Sequence, residues 1–127
     1  GTPEAFHLLD SLVDTYIADF KFGNDSCAQR IASVDNYVAI VTRNLQTAAR
    51  QGSLIVRHLL LPGHFDCCFV PIVQQLRRAL PGVKFSLRDG YLPKWRAGQF
   101  SELSRRLPAG EGNRAAQFAR DHGIKLL

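Results

Sequence analysis

No stretch of this 127-residue chain is both apolar enough and long enough to cross a bilayer. The first residues carry no basic run followed by an apolar one, so they do not read as a secretory leader. Cysteine is scarce: there are three, an odd number, and Cys67 and Cys68 are adjacent. That count does not suit a disulfide framework and fits a reducing, cytoplasmic compartment. Also lacking are a phosphate-binding Walker loop, G-x-S-x-G, H-E-x-x-H, G-x-G-x-x-G and any C-x₂-C pair. The common signatures of nucleotide hydrolysis, serine hydrolysis, zinc proteolysis and dinucleotide binding are therefore absent. There is no internal repeat, low-complexity tract or linker, so the chain reads as one domain or a piece of one.

What is present is an ordinary folded composition, 46% hydrophobic and 21% charged, with a net charge of +5. The excess of Lys and Arg permits an anionic ligand or nucleic acid. The basic residues are dispersed, however, with Arg77-Arg78 and Arg105-Arg106 as the only doublets. No aromatic residues alternate with basic ones as in an RNA-stacking sheet. A solvated basic surface is the simpler reading, and nucleic acid is not an expected partner.

Three short apolar runs end in charged residues and alternate with helical stretches. Strands are expected at 13–19, 54–60 and 83–88. The first helix, 3–10, has Pro3 suited to its first position. Asn24-Asp25-Ser26 offers capping side chains for a short helix through Ile31. Val38, Val41, Leu45, Ala48 and Ala49 recur at helical spacing over 35–51, and Gly52 ends that helix. Asp66 can cap a fourth helix carrying Phe69, Ile72, Val73, Leu76 and Leu80, with Pro71 in its first turn. Pro81-Gly82 stops it. Residues 89–110 read as a long functional loop with one helical turn, and a last helix covers 112–122. Strand-helix alternation implies a parallel α/β sheet with right-handed crossovers, here about three βα units. The near-continuous apolar character of 54–60 suggests burial on both faces.

In such folds ligands sit beyond the carboxyl ends of the strands. Asp19 and Lys21, two apart at a strand end, share one face. They can bind ribose hydroxyls or an amino-acid head group, or form a local ion pair. Arg57 interrupts an apolar strand and needs a partner, because an unpaired buried charge is costly. That partner is either a ligand carboxylate or an Asp on a neighbouring strand. His58 points the other way, into the core. Asp89 and Tyr91, around Gly90, can reach a ligand or serve the turn. His64, Asp66, Cys67 and Cys68 invite a metal reading, but adjacent residues on an α-helix diverge by about 100°, so free thiols are favoured and no metal ligand is assigned.

Taken in order, Leu9–Asp14 through Asp19-Phe20-Lys21, Ile55–Gly63 and Phe85–Tyr91 resemble the radical S-adenosylmethionine superfamily. The closest likeness is to the branch described as pyruvate formate-lyase activating enzyme-like. Glu102–Leu107 is also similar to that branch, and the resemblance spans nearly all of the chain. It implies that residues 1–127 form the C-terminal half of a partial (β/α)₆ TIM-like barrel, with 89–127 as a loop and C-terminal helix. It implies an oxidoreductase in which a [4Fe-4S] cluster reductively cleaves S-adenosylmethionine. Asp19 and Lys21 then correspond to the fourth-strand pair at the cofactor's ribose and methionine part, Arg57 to the fifth-strand arginine at its carboxylate, and Asp89 or Tyr91 to the sixth-strand side. The implied partners are the N-terminal half-barrel and a protein substrate. Cys27, Cys67 and Cys68 do not form the family's C-x₃-C-x₂-C, so the cluster is not expected on this segment, and alone it should be inactive. An isolated half-barrel is expected to self-associate. The alternative is a small non-catalytic α/β module that binds an anionic ligand or a protein.

Overall fold

A computed structural model describes every residue from Gly1 to Leu127. Four parallel strands form one sheet in sequential order, β1 Thr15–Asp19, β2 Ser53–Leu59, β3 Lys84–Arg88 and β4 Lys125–Leu126. The helices are α1 Pro3–Leu9, α2 Asp25–Ala32, α3 Tyr37–Gln51, α4 Val70–Ala79 and α5 Glu111–Asp121. The expected α/β fold with a parallel sheet is present, with one strand more than the three expected. β4 has two residues, and after Gly123 too little chain remains to display an alternating pattern.

Local chemistry explains most of the element boundaries. Thr2 Oγ1 accepts from the Ala5 amide at 3.2 Å, and Pro3 follows at the first helical position of α1. Asn24 caps α2, its Oδ1 accepting from the Cys27 amide at 2.7 Å. Asp66 does not cap α4. The chain instead enters α4 through a π-helical turn, Phe65–Phe69, in which the His64 carbonyl accepts from both the Cys68 and Phe69 amides at 3.1 Å. Pro71 stands in the first turn of α4, two residues after the π turn. The loop after β3 holds two 3₁₀ turns, Trp95–Gln99 and Ser101–Ser104.

Core residues come from one face of the sheet. Leu54, Val56 and Phe85 pack against Leu45 and Ala48 of α3, Ile72, Val73 and Leu76 of α4, and Ala115 and Ala119 of α5. Burying each large side chain of this set contributes roughly 1.5–3 kcal/mol. The other face is open: Ile17 is 64% exposed, and Arg57 and Leu59 lie beside it. The expectation that β2 is buried on both faces is therefore corrected. Its burial alternates strictly, with Leu54, Val56 and His58 turned to the helices. Sequential strand order with crossovers of one hand sends every connecting helix to the same side, which leaves the opposite side uncovered.

Candidate functional site

Two groups of side chains gather at the carboxyl ends of the strands and in the segments that follow them. The first is a hollow of about 330 Å³ lined by Asp19, Lys21, Arg57, Leu59 and Arg88. Parallel register places Asp19 directly beside Arg57, and Arg57 Nε donates to Asp19 Oδ1 at 2.6 Å. Lys21 Nζ stands 3.9 Å from the other carboxylate oxygen. Its backbone is held by Tyr37, whose hydroxyl oxygen accepts from the Lys21 amide at 2.7 Å. The hydrogen bond from Arg57 is the main cause that holds the Asp19 carboxyl below its usual range, opposed by partial burial. Of the two partners open to Arg57, the structure supplies the neighbouring-strand Asp. About half of the Arg57 side chain stays exposed, and its Nη groups have no protein partner.

Asp89 and Tyr91 do not line this hollow. Asp89 packs its carboxylate against Gly112 in the first turn of α5, where a Cβ on that glycine would lie 2.8 Å from Asp89 Cβ. The Tyr91 hydroxyl donates to the Leu103 carbonyl at 2.7 Å and fastens the loop to itself. Arg88 takes the third-strand place instead. Side chains alternate along β3, and the register of Leu59 with Arg88 puts that arginine on the open face. The two-residue period of the strand carried that information, one position before Asp89.

The second group is Cys27, His64, Cys67 and Cys68, whose donor atoms all lie within 4.8 Å of one another. Cys27 comes from α2, after β1, and the other three come from the loop and π turn after β2. Cys27 Sγ lies 3.7 Å, Cys67 Sγ 3.3 Å and Cys68 Sγ 3.6 Å from His64 Nδ1. The sulfurs of Cys27 and Cys67, and of Cys67 and Cys68, are 3.9 Å apart. Cys67 and Cys68 do not diverge as adjacent residues were expected to. That divergence holds for a regular α-helix, whereas these two occupy the wider π turn.

Neighbouring side chains fix this group. His64 is buried, and its Nε2 faces Glu102 Oε1 at 3.2 Å. Glu102, from the loop after β3, is also paired with Arg30 of α2. The hydrogen bond from Arg30 is the main cause that pushes the Glu102 carboxyl down to about 2. An ionised carboxylate only accepts, so Nε2 carries a proton, and in the neutral ring Nδ1 then presents its lone pair to the three sulfurs. Asn24 Nδ2 donates to the Cys67 carbonyl at 2.6 Å and to Cys27 Sγ at 3.3 Å. Burial pushes the Cys67 and Cys68 thiols up. Gly23 touches the π turn so closely that a Cβ there would collide with the Cys68 backbone, 2.7 Å from its Cα. Cys27, Arg30 and Glu102 are not legible as members of this group in the sequence, because 37 residues separate Cys27 from His64, 72 separate Arg30 from Glu102 and 38 separate His64 from Glu102.

No known protein-family profile matches this chain. Over 126 residues, 99% of its length, it is 34% identical to the uncharacterized protein MJ0674 of Methanocaldococcus jannaschii. The chain spans little more than a third, 37%, of that relative. No helix is long and apolar enough to cross a membrane.

Proposed function

We propose that this chain is the C-terminal part of a radical S-adenosylmethionine enzyme of the activating-enzyme type, an oxidoreductase. It supplies strand-end side chains that hold the cofactor. The reading is carried by the convergence of Asp19, Lys21 and Arg57 on one hollow beyond the strand ends, where parallel α/β folds place their ligands. Arg57 keeps its Nη groups for the carboxylate of the cofactor's amino-acid part, with Asp19 orienting the guanidinium. Asp19 and Lys21 offer an acceptor and a donor for ribose hydroxyls.

A barrel segment also accords with the sheet. Strands in sequential order, helices on one face and an open apolar-and-charged opposite face are the features of a (β/α) barrel wall. In a partial (β/α)₆ barrel the open face turns inward, and an N-terminal half-barrel completes the site. The match to about a third of a longer archaeal protein, 37% of it, is in keeping with such a segment.

The residues present do not fit the [4Fe-4S] cluster of the resemblance. The three thiols gather with His64 on one point, whereas a cubane needs sulfurs spread over different irons. The cluster would have to be held elsewhere in a longer chain, and it would supply the electron that cleaves S-adenosylmethionine. The cytoplasm is the compartment proposed for such oxygen-sensitive chemistry.

A second reading has its own support. Three cations, Lys21, Arg57 and Arg88, face one carboxylate in the hollow, a balance that suits a non-catalytic module for an anionic ligand. The reading frame upstream of residue 1 separates the two. It should encode C-x₃-C-x₂-C, and the longer protein, reconstituted anaerobically and reduced, should release 5′-deoxyadenosine from S-adenosylmethionine. A natural start codon near residue 1, or a longer protein that holds no cluster and cleaves nothing, would overturn the enzyme reading in favour of the binding module.

A further inference from the structure

We propose that Cys27, His64, Cys67 and Cys68 form a closed tetrahedral site for one zinc ion, which clamps α2 to the loop and π turn after β2. The site is independent of the S-adenosylmethionine reading and uses none of the residues that line the hollow.

The spacing of the donors suits one ion. With zinc–sulfur bonds of about 2.3 Å and a zinc–nitrogen bond of about 2.0–2.1 Å, a tetrahedron has sulfur–sulfur edges of about 3.8 Å and sulfur–nitrogen edges of about 3.6 Å. Five of the six observed edges are 3.9 and 3.9 Å between sulfurs, and 3.7, 3.3 and 3.6 Å from sulfur to Nδ1, and the sixth, Cys27 to Cys68, lies within 4.8 Å. Three thiolates and an imidazole form a donor set that selects zinc or ferrous iron over calcium and magnesium. Four protein ligands leave no position for water, the mark of a structural site.

The surroundings are those of a built site. His64 turns Nε2 to the Glu102 carboxylate at 3.2 Å, the outer partner that orients metal-bound histidines and raises their basicity. Arg30 holds Glu102 from the far side. Asn24 donates to Cys27 Sγ at 3.3 Å, and its amide also reaches the Cys67 carbonyl, so one side chain joins both halves of the ligand set. Such bonds offset the charge that three thiolates bring.

Cobalt(II) is the probe, added to the purified full chain under anaerobic, reducing conditions and followed by visible spectroscopy, with zinc competition and metal analysis. We expect one cobalt per chain with the intense d–d bands of tetrahedral thiolate coordination, displaced by one equivalent of zinc. Cys27→Ser should abolish that spectrum. Glu102→Gln leaves all four ligands in place, and should retain the tetrahedral bands while weakening affinity about 10–100-fold. His122→Gln, outside the group, should change nothing. If Cys27→Ser fails to fold, the Glu102→Gln affinity shift and the metal stoichiometry of the unaltered chain decide the matter. Weak octahedral bands, sub-stoichiometric metal, iron bound together with inorganic sulfide, or a Cys27–Cys67 disulfide as the resting state would each overturn the proposal.

Discussion

Asp19 and Arg57 face each other as register partners on β1 and β2, joined by an Nε–Oδ1 hydrogen bond of 2.6 Å at the mouth of the strand-end hollow. The pair is solvent-exposed, so it orients the guanidinium more than it stabilises the fold.

Arg57→Ala should therefore leave the melting temperature of the chain nearly unchanged. In the longer protein proposed above it should weaken S-adenosylmethionine binding by about tenfold to a hundredfold, the scale of one hydrogen bond to a charged group. Calorimetry and thermal melts on the same samples check this. Unchanged affinity with a collapsed melting temperature would make Arg57 a structural residue and end the cofactor role.

His58 predicts a pH dependence of stability. It is 1% exposed, and Nδ1 donates to the Phe20 carbonyl at 2.7 Å while Nε2 has no partner. Burial is the main cause that pushes its pKa down to about 4. The unfolded chain binds a proton near pH 6.5 and the folded chain does not, so stability is full above that pH and declines as pH falls towards about 4. The loss approaches about 3 kcal/mol. Urea unfolding at pH 7 and pH 4.5 measures it, and an imidazole NMR titration should find His58 still neutral at pH 5.5. A native His58 that protonates near pH 6.5 would refute the assignment.

Gly23→Ala should destabilise the chain by about 1–3 kcal/mol, since an added methyl meets backbone rather than a movable side chain. Gly90→Ala is the matched control, because nothing lies within 4 Å of a Cβ there. Chemical denaturation of the two variants compares them directly. Equal midpoints would show that the α2 loop and the π turn are not in such close contact.

The open sheet face should drive self-association of the isolated chain. Ile17 is 64% exposed and Leu59 38% exposed on that face, and β1 presents an unpaired edge. Sedimentation over a range of concentrations should show a dimer or larger species that Ile17→Glu weakens. A strictly monomeric chain that unfolds cooperatively would mean the sheet needs no covering partner.

Local signals placed the helices and three of the strands to within a few residues, because the apolar periods, Pro3, Asn24 and Gly52 act over a few neighbours. The same short range explains the misses. β4 has two residues, so it exists only because β3 offers an edge to Lys125 and Leu126. The open face of β2 follows from where the crossovers put α3, α4 and α5, which no strand pattern states. Arg88 is legible through the period of β3, whereas Asp89 and Tyr91, the residues expected at a ligand, belong to the loop beyond it.

The α/β class, the parallel sheet and the strand-end position of Asp19, Lys21 and Arg57 were determined by the sequence itself, through periodicity and turn chemistry. Which partner Arg57 takes was not, because that depends on the register between β1 and β2. Nor was the meeting of Cys27 with His64, Cys67 and Cys68. Donor atoms at one point depend on how two loops dock and on a π turn that brings adjacent sulfurs together. Those are consequences of packing between segments that lie far apart in the chain.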